Sequence, residues 1–281
     1  MDERDPVDNF FRELMVVLVI YKMEIDESPA FISLTNALKL VGQKTSILIY
    51  DNSPNAHTHT LNENWIITYR YDVSNQGVSK AYNESYEFAK SQNKKWLLLV
   101  DQDSAFPTDT FKLYKTAIER FNCSIIVPRL IDQIGIVSPL KFYLGGGQRQ
   151  PKIPTDRLLS LQKYFFHNSG LLISIEEFEK AGRYDENFPL DFSDFSFVIR
   201  LRTRNDFFSV ADIFVTHDLA ATSSSNLNER LARFSTYLKA GHNFKNIYMP
   251  WNMSIKIRLF LRALKLAFQY QSFEFIVLYF R

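Results

Sequence analysis

Short apolar blocks recur along the first half of the chain, each bounded by polar or turn-forming residues and separated by stretches with helical spacing. Leu14–Ile20 (LMVVLVI), Ser46–Tyr50 (SILIY), Trp65–Arg70 and Trp96–Val100 (WLLLV) read as strands. After the first, Ser28-Pro29 supplies a cap and a proline at the first helical position; Phe31, Leu34, Leu38 and Val41 then share one helical face, and Gly42 closes the helix. Asn75 stands where it would cap a second helix, with Val78, Ala81, Tyr82, Tyr86 and Ala89 on its apolar face. Alternating strand and helix predicts an α/β fold in which βα units feed a mostly parallel central sheet.

The second half is less regular. Ser124–Val127, Leu171–Ser174 and Phe207–Val215 have strand character, and Lys141–Pro154 reads as a loop around Gly145-Gly146-Gly147, of a kind that often folds over ligands. From Asn226 the pattern is helical. Ile255–Phe268 sets Lys256, Arg258, Arg262 and Lys265 among Leu, Ile and Phe, a basic and strongly apolar helix suited to a membrane interface or to packing on the main domain or another subunit.

Composition narrows the classes. With 33 Lys+Arg against 31 Asp+Glu, the 281-residue chain is too balanced to coat nucleic acid. The single cysteine, Cys123, allows no internal disulfide and no zinc site of its own, which predicts a reducing, cytoplasmic setting. The opening MDERDPVDNF is acidic where a secretory signal would be basic and then apolar, and no apolar run approaches the ~20 residues of a membrane-spanning helix. Aromatic residues make up 15% of the chain, enough to serve both a core and a sugar- or lipid-facing surface.

Candidate chemistry gathers where strands end. Asp101 and Asp103 follow the most apolar strand at i and i+2, so in an extended segment they project together from the carboxyl edge of the sheet, where open α/β folds bind ligands. Paired hard oxygen donors suit magnesium or manganese completed by a substrate's phosphates, although a polar turn would use the same residues. Asp51, ending the second strand, can accept hydrogen bonds from a base or ribose, or close an Asx-turn with Asn52-Ser53-Pro54. No GxxxxGK[ST] and no GxGxxG occurs, which excludes a P-loop enzyme and the usual dinucleotide binder.

The succession MVVLVI, ILIYDNSP, NQGVSKAYNESYEFA, WLLLVDQDS, HNSGLLIS, FPLDFSDFSFVIRLR and VTHD resembles the inverting family 2 glycosyltransferases of the GT-A fold over roughly residues 14 to 220. Its DQDS and DxxDxxxxxR segments are most similar to bacterial rhamnosyltransferases that use dTDP-rhamnose, with UDP-dependent galactofuranosyltransferases as near relatives. The resemblance implies a transferase domain over 1–225, nucleotide-binding in 14–105 and acceptor-binding in 106–225, followed by a helical extension over 226–281. It makes Asp51 a base contact, Asn75 and Gly77 part of the nucleotide-side loop, and Asp101 a ribose or donor-sugar contact. Asp103 and His217 become metal ligands, Asp194 the catalytic base, and Ser169, Gly170, Asp191 and Arg200 acceptor-side or positioning residues. The expected partners are a divalent metal, a nucleotide sugar and a saccharide or polyprenyl-linked acceptor, with 255–281 making peripheral contact at the inner face of the cytoplasmic membrane. Ser196, where relatives often carry an acid, and Ala220, near a usual glycine, depart from the pattern.

On physical grounds an inverting transfer needs a base for the acceptor hydroxyl and a cation for the departing diphosphate. Phe192, Phe195 and Phe197 surround Asp194 in sequence and promise an apolar setting that strengthens a carboxylate as a base; a helix cap or a pair with Arg200 is the plainer use, as helix entry is for Asp191. His217 at a strand end has the plainer use of a structural histidine, and His57, His59 and His167 show no metal-ligand spacing. The rival enzymes are a haloacid-dehalogenase-like phosphatase, whose nucleophile motif is also DxDx[ST], and a sugar-nucleotide pyrophosphorylase, whose Gly-rich basic opening loop is missing after Ile20. The remaining rival is a catalytically inactive sugar- or membrane-binding protein.

Overall fold

A computed structural model describes residues 6–58, 62–143, 146–217 and 226–281. Helix α1 (Pro6–Glu13) leads into β1 (Leu14–Ile20), and α2 (Pro29–Val41) connects it to β2 (Thr45–Asp51). Then come β3 (Trp65–Tyr71), α3 (Val78–Ser91), β4 (Trp96–Asp101), the two-residue β5 (Ser104–Ala105), α4 (Thr110–Phe121) and β6 (Ile125–Asp132). Short strands follow: β7 (Gly135–Ser138), β8 (Leu140–Tyr143), β9 (Gly146–Gln148), β10 (Arg157–Ser160), β11 (Tyr164–Phe165) and β12 (Leu171–Ser174). Helices α5 (Ile175–Lys180) and α6 (Ser193–Leu201) precede the long β13 (Phe207–His217), and α7 (Leu227–Tyr248), α8 (Ser254–Tyr270) and α9 (Glu274–Phe280) complete the described chain.

Among the described residues the main sheet runs β10-β13-β6-β12-β4-β1-β2-β3, with β5 added to β13 and β7 to β6. The run β4-β1-β2-β3 is parallel and β6 is parallel to β13, whereas β12 enters antiparallel between β4 and β6. All seven residues of β1 are buried because helices cover both faces. Met15, Val17 and Val19 pack with α3 and α5, and Leu14, Val16, Leu18 and Ile20 pack with α1, α2 and α4. Parallel pairing aligns Val19 with Asp101 and Ile20 with Asp51, so the strand ends that carry acids lie along one edge.

Helix α2 starts and stops as its sequence directs. Ser28 Oγ accepts from the Phe31 N–H at 3.3 Å, Pro29 opens the first turn, and Gly42 ends it at φ 61°. Helix α3 does not start at Asn75. Both Asn75 (φ 43°) and Gly77 (φ 89°) have left-handed backbone, and Gly77 is the cap. The reason is a close approach: a Cβ on Gly77 would lie 2.2 Å from the Pro189 carbonyl oxygen, which accepts from the Val78 N–H at 2.7 Å. The expected Lys141–Pro154 loop is in part a hairpin. Strand β8 pairs with β9 and with β11 in a second, three-stranded sheet, while Gly145 lies outside the described residues. The expected strand at 124–127 extends to Asp132, carried by its pairing with β13.

The last three helices share a third apolar cluster with Phe188, Phe192 and Ile199. Helix α8 buries Ile255, Leu259 and Ala263 at i, i+4 and i+8, and it comes close to α7 at Gly241, where a Cβ would lie 2.6 Å from Leu259 Cδ2.

Gly77→Ala should destabilise the fold by about 2–4 kcal/mol through backbone strain and overlap with Pro189. Denaturant unfolding at constant m-value measures it; a loss under 0.5 kcal/mol, roughly the scale of a neutral surface change, would contradict the packing described.

Candidate active site

The carboxyl edge of β4 opens into a cavity of about 650 Å³ lined by Asp101, Asp103, His167, Asp194 and His217 on one side and by Arg149, Arg233, Tyr237, Arg258 and Arg262 on the other elements around it. Three donor groups converge there: one ligand atom each from Asp101, Asp103 and His217 lie within 4.8 Å of one another. Sheet pairing explains the convergence. Strand β5 pairs with the end of β13 and sets His217 opposite Ser104, so His217 Nδ1 lies 3.0 Å from Ser104 Oγ and 3.4 Å from Asp103 Oδ1.

The turn is braced by hydrogen bonds from its own residues and from neighbouring elements. Gln102 fixes it to the end of β1, accepting from the Tyr21 N–H at 2.7 Å and donating to the Tyr21 carbonyl at 3.1 Å. Ser169 Oγ accepts from the Asp101 N–H at 3.0 Å and lies 2.7 Å from Ser104 Oγ. Tyr82 donates to Asp101 Oδ1 at 3.1 Å. Burial and then the charge of Asp103 push the Asp101 pKa up, with the His217 charge opposing. Two crowded acids with an imidazole beside them make a donor set that a divalent cation relieves, and ligands around an ion at about 2.0–2.1 Å stand no farther apart than about 4.2 Å, close to the spread observed. The residues present therefore fit a hard divalent cation.

Asp194 lies in the first turn of α6, and its Oδ1 accepts from the Phe195 N–H at 2.8 Å, so it does part of a cap's work. It is not paired with Arg200, whose Nη1 donates to the carbonyls of Ala181 and Gly182, away from the cavity. Its partner is His167, with Nδ1 2.5 Å from Asp194 Oδ2. The apolar setting expected for Asp194 is thus joined by a basic partner, while Phe197 turns inward to stack on Tyr184. Burial works against charge on His167, but the hydrogen bond and charge of Asp194 outweigh it and raise the imidazole pKa above its ordinary 6.5.

Of the other expected site residues, Asp191 lines the cavity and the rest lie outside its lining. Asp51 is fully buried and occupied: Oδ1 accepts from the Ser53 N–H at 2.8 Å, and Oδ2 takes the Tyr69 hydroxyl at 2.6 Å and His57 Nδ1 at 2.8 Å. Burial raises its pKa, but these donors prevail and hold it below the usual carboxylate range; the Asx-turn is the use realised here. Gly77 and Val78 pin α3 to Pro189, and the Asn75 N–H donates to the Asp72 carbonyl at 3.1 Å; neither Asn75 nor Gly77 lines the cavity. Ser169 and Gly170 sit beneath the Asp101 turn, not at an acceptor surface: Ser169 is buried, and a Cβ on Gly170 would lie 2.4 Å from Pro128 Cγ. Asp191 does not enter the helix as its cap, a place taken by Phe192; it forms a two-pronged ion pair with Arg233 of α7. Ser196 is buried and donates to the Ser193 carbonyl at 2.8 Å, while Ala220 and His59 lie outside the described residues.

His167 opens the HNSG segment, but no spacing in the sequence points to its pairing with Asp194. Nor does the sequence show the inward use of Arg258 and Arg262, because a basic amphipathic pattern does not say what the basic edge of a helix meets.

Because folded His167 holds its proton more tightly than an unfolded imidazole, the His167–Asp194 pair contributes stability that is complete below about pH 6.5 and disappears as pH rises through the folded value. Asp194→Asn should therefore cost more stability at pH 6 than at pH 9 in paired denaturant titrations. An equal cost at both would contradict the pairing.

Comparison with known proteins agrees with this architecture. The family model described as glycosyl transferase family 2 matches residues 27–178, more than half of the chain. Over 192 residues the chain is 23% identical to the dTDP-rhamnosyl transferase RfbF of Shigella flexneri, covering 66% of this chain and 62% of that protein, so less than two thirds of the relative's length is matched. The structure of S. aureus TarS 1-349 in complex with UDP-GlcNAc superposes with a TM-score of 0.52 at 12% identity, covering 89% of this chain and 78% of that one. GalNAc-T7 with UDP, GalNAc and Mn2+ gives 0.58 at 14% identity, over 85% and 49%. At these identities the structures speak for the fold alone, a mixed α/β sheet of GT-A type flanked by helices. Together with the family match they lead to one statement: the chain belongs to glycosyl transferase family 2.

Proposed function

We propose that the chain is a metal-dependent inverting transferase that moves a sugar from a nucleotide sugar to a hydroxyl of a saccharide or lipid-linked saccharide in cell-surface polysaccharide synthesis. The observation that carries this reading is the meeting of Asp101, Asp103 and His217 in the same cavity as the Asp194–His167 pair. dTDP-rhamnose is the favoured donor, supported by the rhamnosyl transferase likeness; a UDP-sugar, as in the galactofuranosyl reading, is next. The phosphatase and pyrophosphorylase readings are set aside by membership of the family.

Asp103 and His217, with Asp101 beside them, would hold manganese or magnesium, which when bound neutralises charge growing on the departing diphosphate. Asp194 takes the acceptor's proton as its oxygen attacks the anomeric carbon, and a carboxylate suffices because that proton becomes acidic only in the transition state. His167 fixes the Asp194 carboxylate through Oδ2. Asp51 and the Asn75–Gly77 turn shape the nucleotide side through the ends of β2 and α3, and Ser169, Gly170, Asp191 and Arg200 act as positioning residues.

In this reading 1–225 forms the transferase domain, nucleotide-binding in 14–105 and acceptor-binding in 106–225, and 226–281 roofs the acceptor side. No described helix is long and apolar enough to cross a membrane. Exposed Trp251, Ile257, Leu261 and Phe268 near Lys256 and Lys265 suit peripheral contact with an anionic lipid surface. Co-sedimentation with anionic vesicles should fall for Phe268→Asp, and unchanged sedimentation would remove that part of the reading.

Thermal stability with manganese and dTDP, UDP or GDP should show selective stabilisation by one diphosphate, about 2.7 kcal/mol at ~100 times its dissociation constant. Asp103→Ala should abolish it. Asp194→Asn should keep it while turnover drops roughly 10²- to 10⁴-fold. Stabilisation that persists in Asp103→Ala, or normal turnover in Asp194→Asn, would overturn the assignment.

A further inference from the structure

Arg258 and Arg262 stand one turn apart on α8, and both line the active cavity. Their setting differs from that of the other arginines there. Arg149 donates to both oxygens of Asp132, and Arg233 is paired with Asp191. Among the described residues, neither Arg258 nor Arg262 has a carboxylate partner. Arg258 Nη2 donates to the Gly147 carbonyl at 3.2 Å, and Arg262 lies over the Tyr237 ring, 4.4 Å from its centroid.

The Arg258 guanidinium occupies the space that Gly146 leaves open, 2.1 Å from where a Cβ there would stand. A loop without side chains at that point lets a guanidinium lie against backbone and keep its remaining N–H groups for something else. Two guanidiniums with no carboxylate partner among the described residues, on one helix and in one cavity, offer fork-shaped donors suited to phosphoryl oxygens.

Position separates this site from the Asp101–Asp103–His217 end. Gly147, which holds Arg258, packs on Phe165, and the Phe165 ring meets His167 edge-on at 5.4 Å and Phe195 at 4.1 Å. Tyr237, under Arg262, packs on Phe192 at 5.3 Å, two residues before Asp194. Each arginine is thus linked by rings to the His167–Asp194 pair. The turn that carries Asp101 and Asp103 is braced by Gln102, Ser104, Ser169 and Tyr82, with no arginine among these contacts.

We propose that Arg258 and Arg262 bind a phosphate or diphosphate carried by the acceptor, placed so that a hydroxyl of the same molecule reaches Asp194. The proposal rests on the reading of Asp194 as the base and gives the acceptor a chemical class: a phosphorylated saccharide or a saccharide on a prenyl diphosphate.

The test is calorimetric titration of inorganic phosphate into protein saturated with magnesium and the preferred nucleoside diphosphate. The wild type should bind phosphate, and Arg262→Gln and Arg258→Gln/Arg262→Gln should bind it about tenfold more weakly or worse, as expected when a charge-assisted contact is lost. Nucleoside diphosphate affinity should change less than twofold. Arg262→Gln keeps the test clear of folding effects, since Arg262 is exposed and rests over the Tyr237 ring. No phosphate binding by the wild type, equal binding by the variants, or a parallel fall in nucleotide affinity would each overturn the acceptor assignment. If the wild type binds no nucleoside diphosphate, the donor reading fails, and the same phosphate titration of nucleotide-free protein still decides for or against the arginine site. Glucose 1-phosphate and geranyl diphosphate compared as probes then name the source: preference for the first supports a phosphorylated sugar, and for the second a lipid-linked one.

Discussion

Two carboxylates held close together at the end of a buried strand repel each other, and the site is organised around that repulsion. Asp101 ends β4 and Asp103 lies two residues on; the interior positions Leu97 to Val100 are fully buried, so the pair cannot be relieved by a shift of the strand. Relief comes from outside: His217 across β5, Tyr82 from α3, and a divalent cation when one is bound. Backbone and side-chain bonds from Ser169, Ser104 and Gln102 hold the turn against opening. The outcome is a pre-formed anionic pocket of the kind that binds a metal together with a substrate's phosphates.

The rest of the fold delivers partners to that pocket. Parallel β1, β2 and β4 bring their carboxyl ends to one edge, and antiparallel β12 returns the chain so that His167 and Asn168 arrive beside it. Helix α6 presents Asp194 from the other side, and the segment before it is locked to α3 through Gly77, Val78 and Ser79. The C-terminal helices then close the cavity with Arg233, Tyr237, Arg258 and Arg262, joined to α6 through the shared cluster around Phe188 and Phe192. A helix that reads as an appendage is therefore part of the cavity wall.

Much of this is legible in the sequence where a physical rule acts locally. A run such as LMVVLVI has no polar face, so it must lie between covered layers, and Ser28-Pro29 with Gly42 marks a helix by its own capping chemistry. The Asp101 and Asp103 pair is legible for the same reason, since alternation in an extended segment fixes their common direction. What is not legible depends on partners distant in the chain. His217 meets Ser104 across 113 positions through strand register, His167 meets Asp194 across 27, and neither leaves a spacing signature. Asn75 is an apt cap by composition, but the contact with Pro189 demands a residue without a side chain, and Gly77 takes the place. Asp51 serves its own turn because Tyr69 and His57, which saturate it, come from a neighbouring strand and a following loop.

On the proposed reading, a divalent metal and a nucleoside diphosphate share the pocket formed by Asp101, Asp103 and His217. Anomalous diffraction from crystals grown with manganese and the stabilising nucleoside diphosphate tests it most directly. The account predicts a single manganese peak within bonding distance of Asp103 and His217, beside Asp101, with diphosphate oxygens completing its shell. A manganese ion elsewhere, or a nucleotide bound away from this turn, would contradict it.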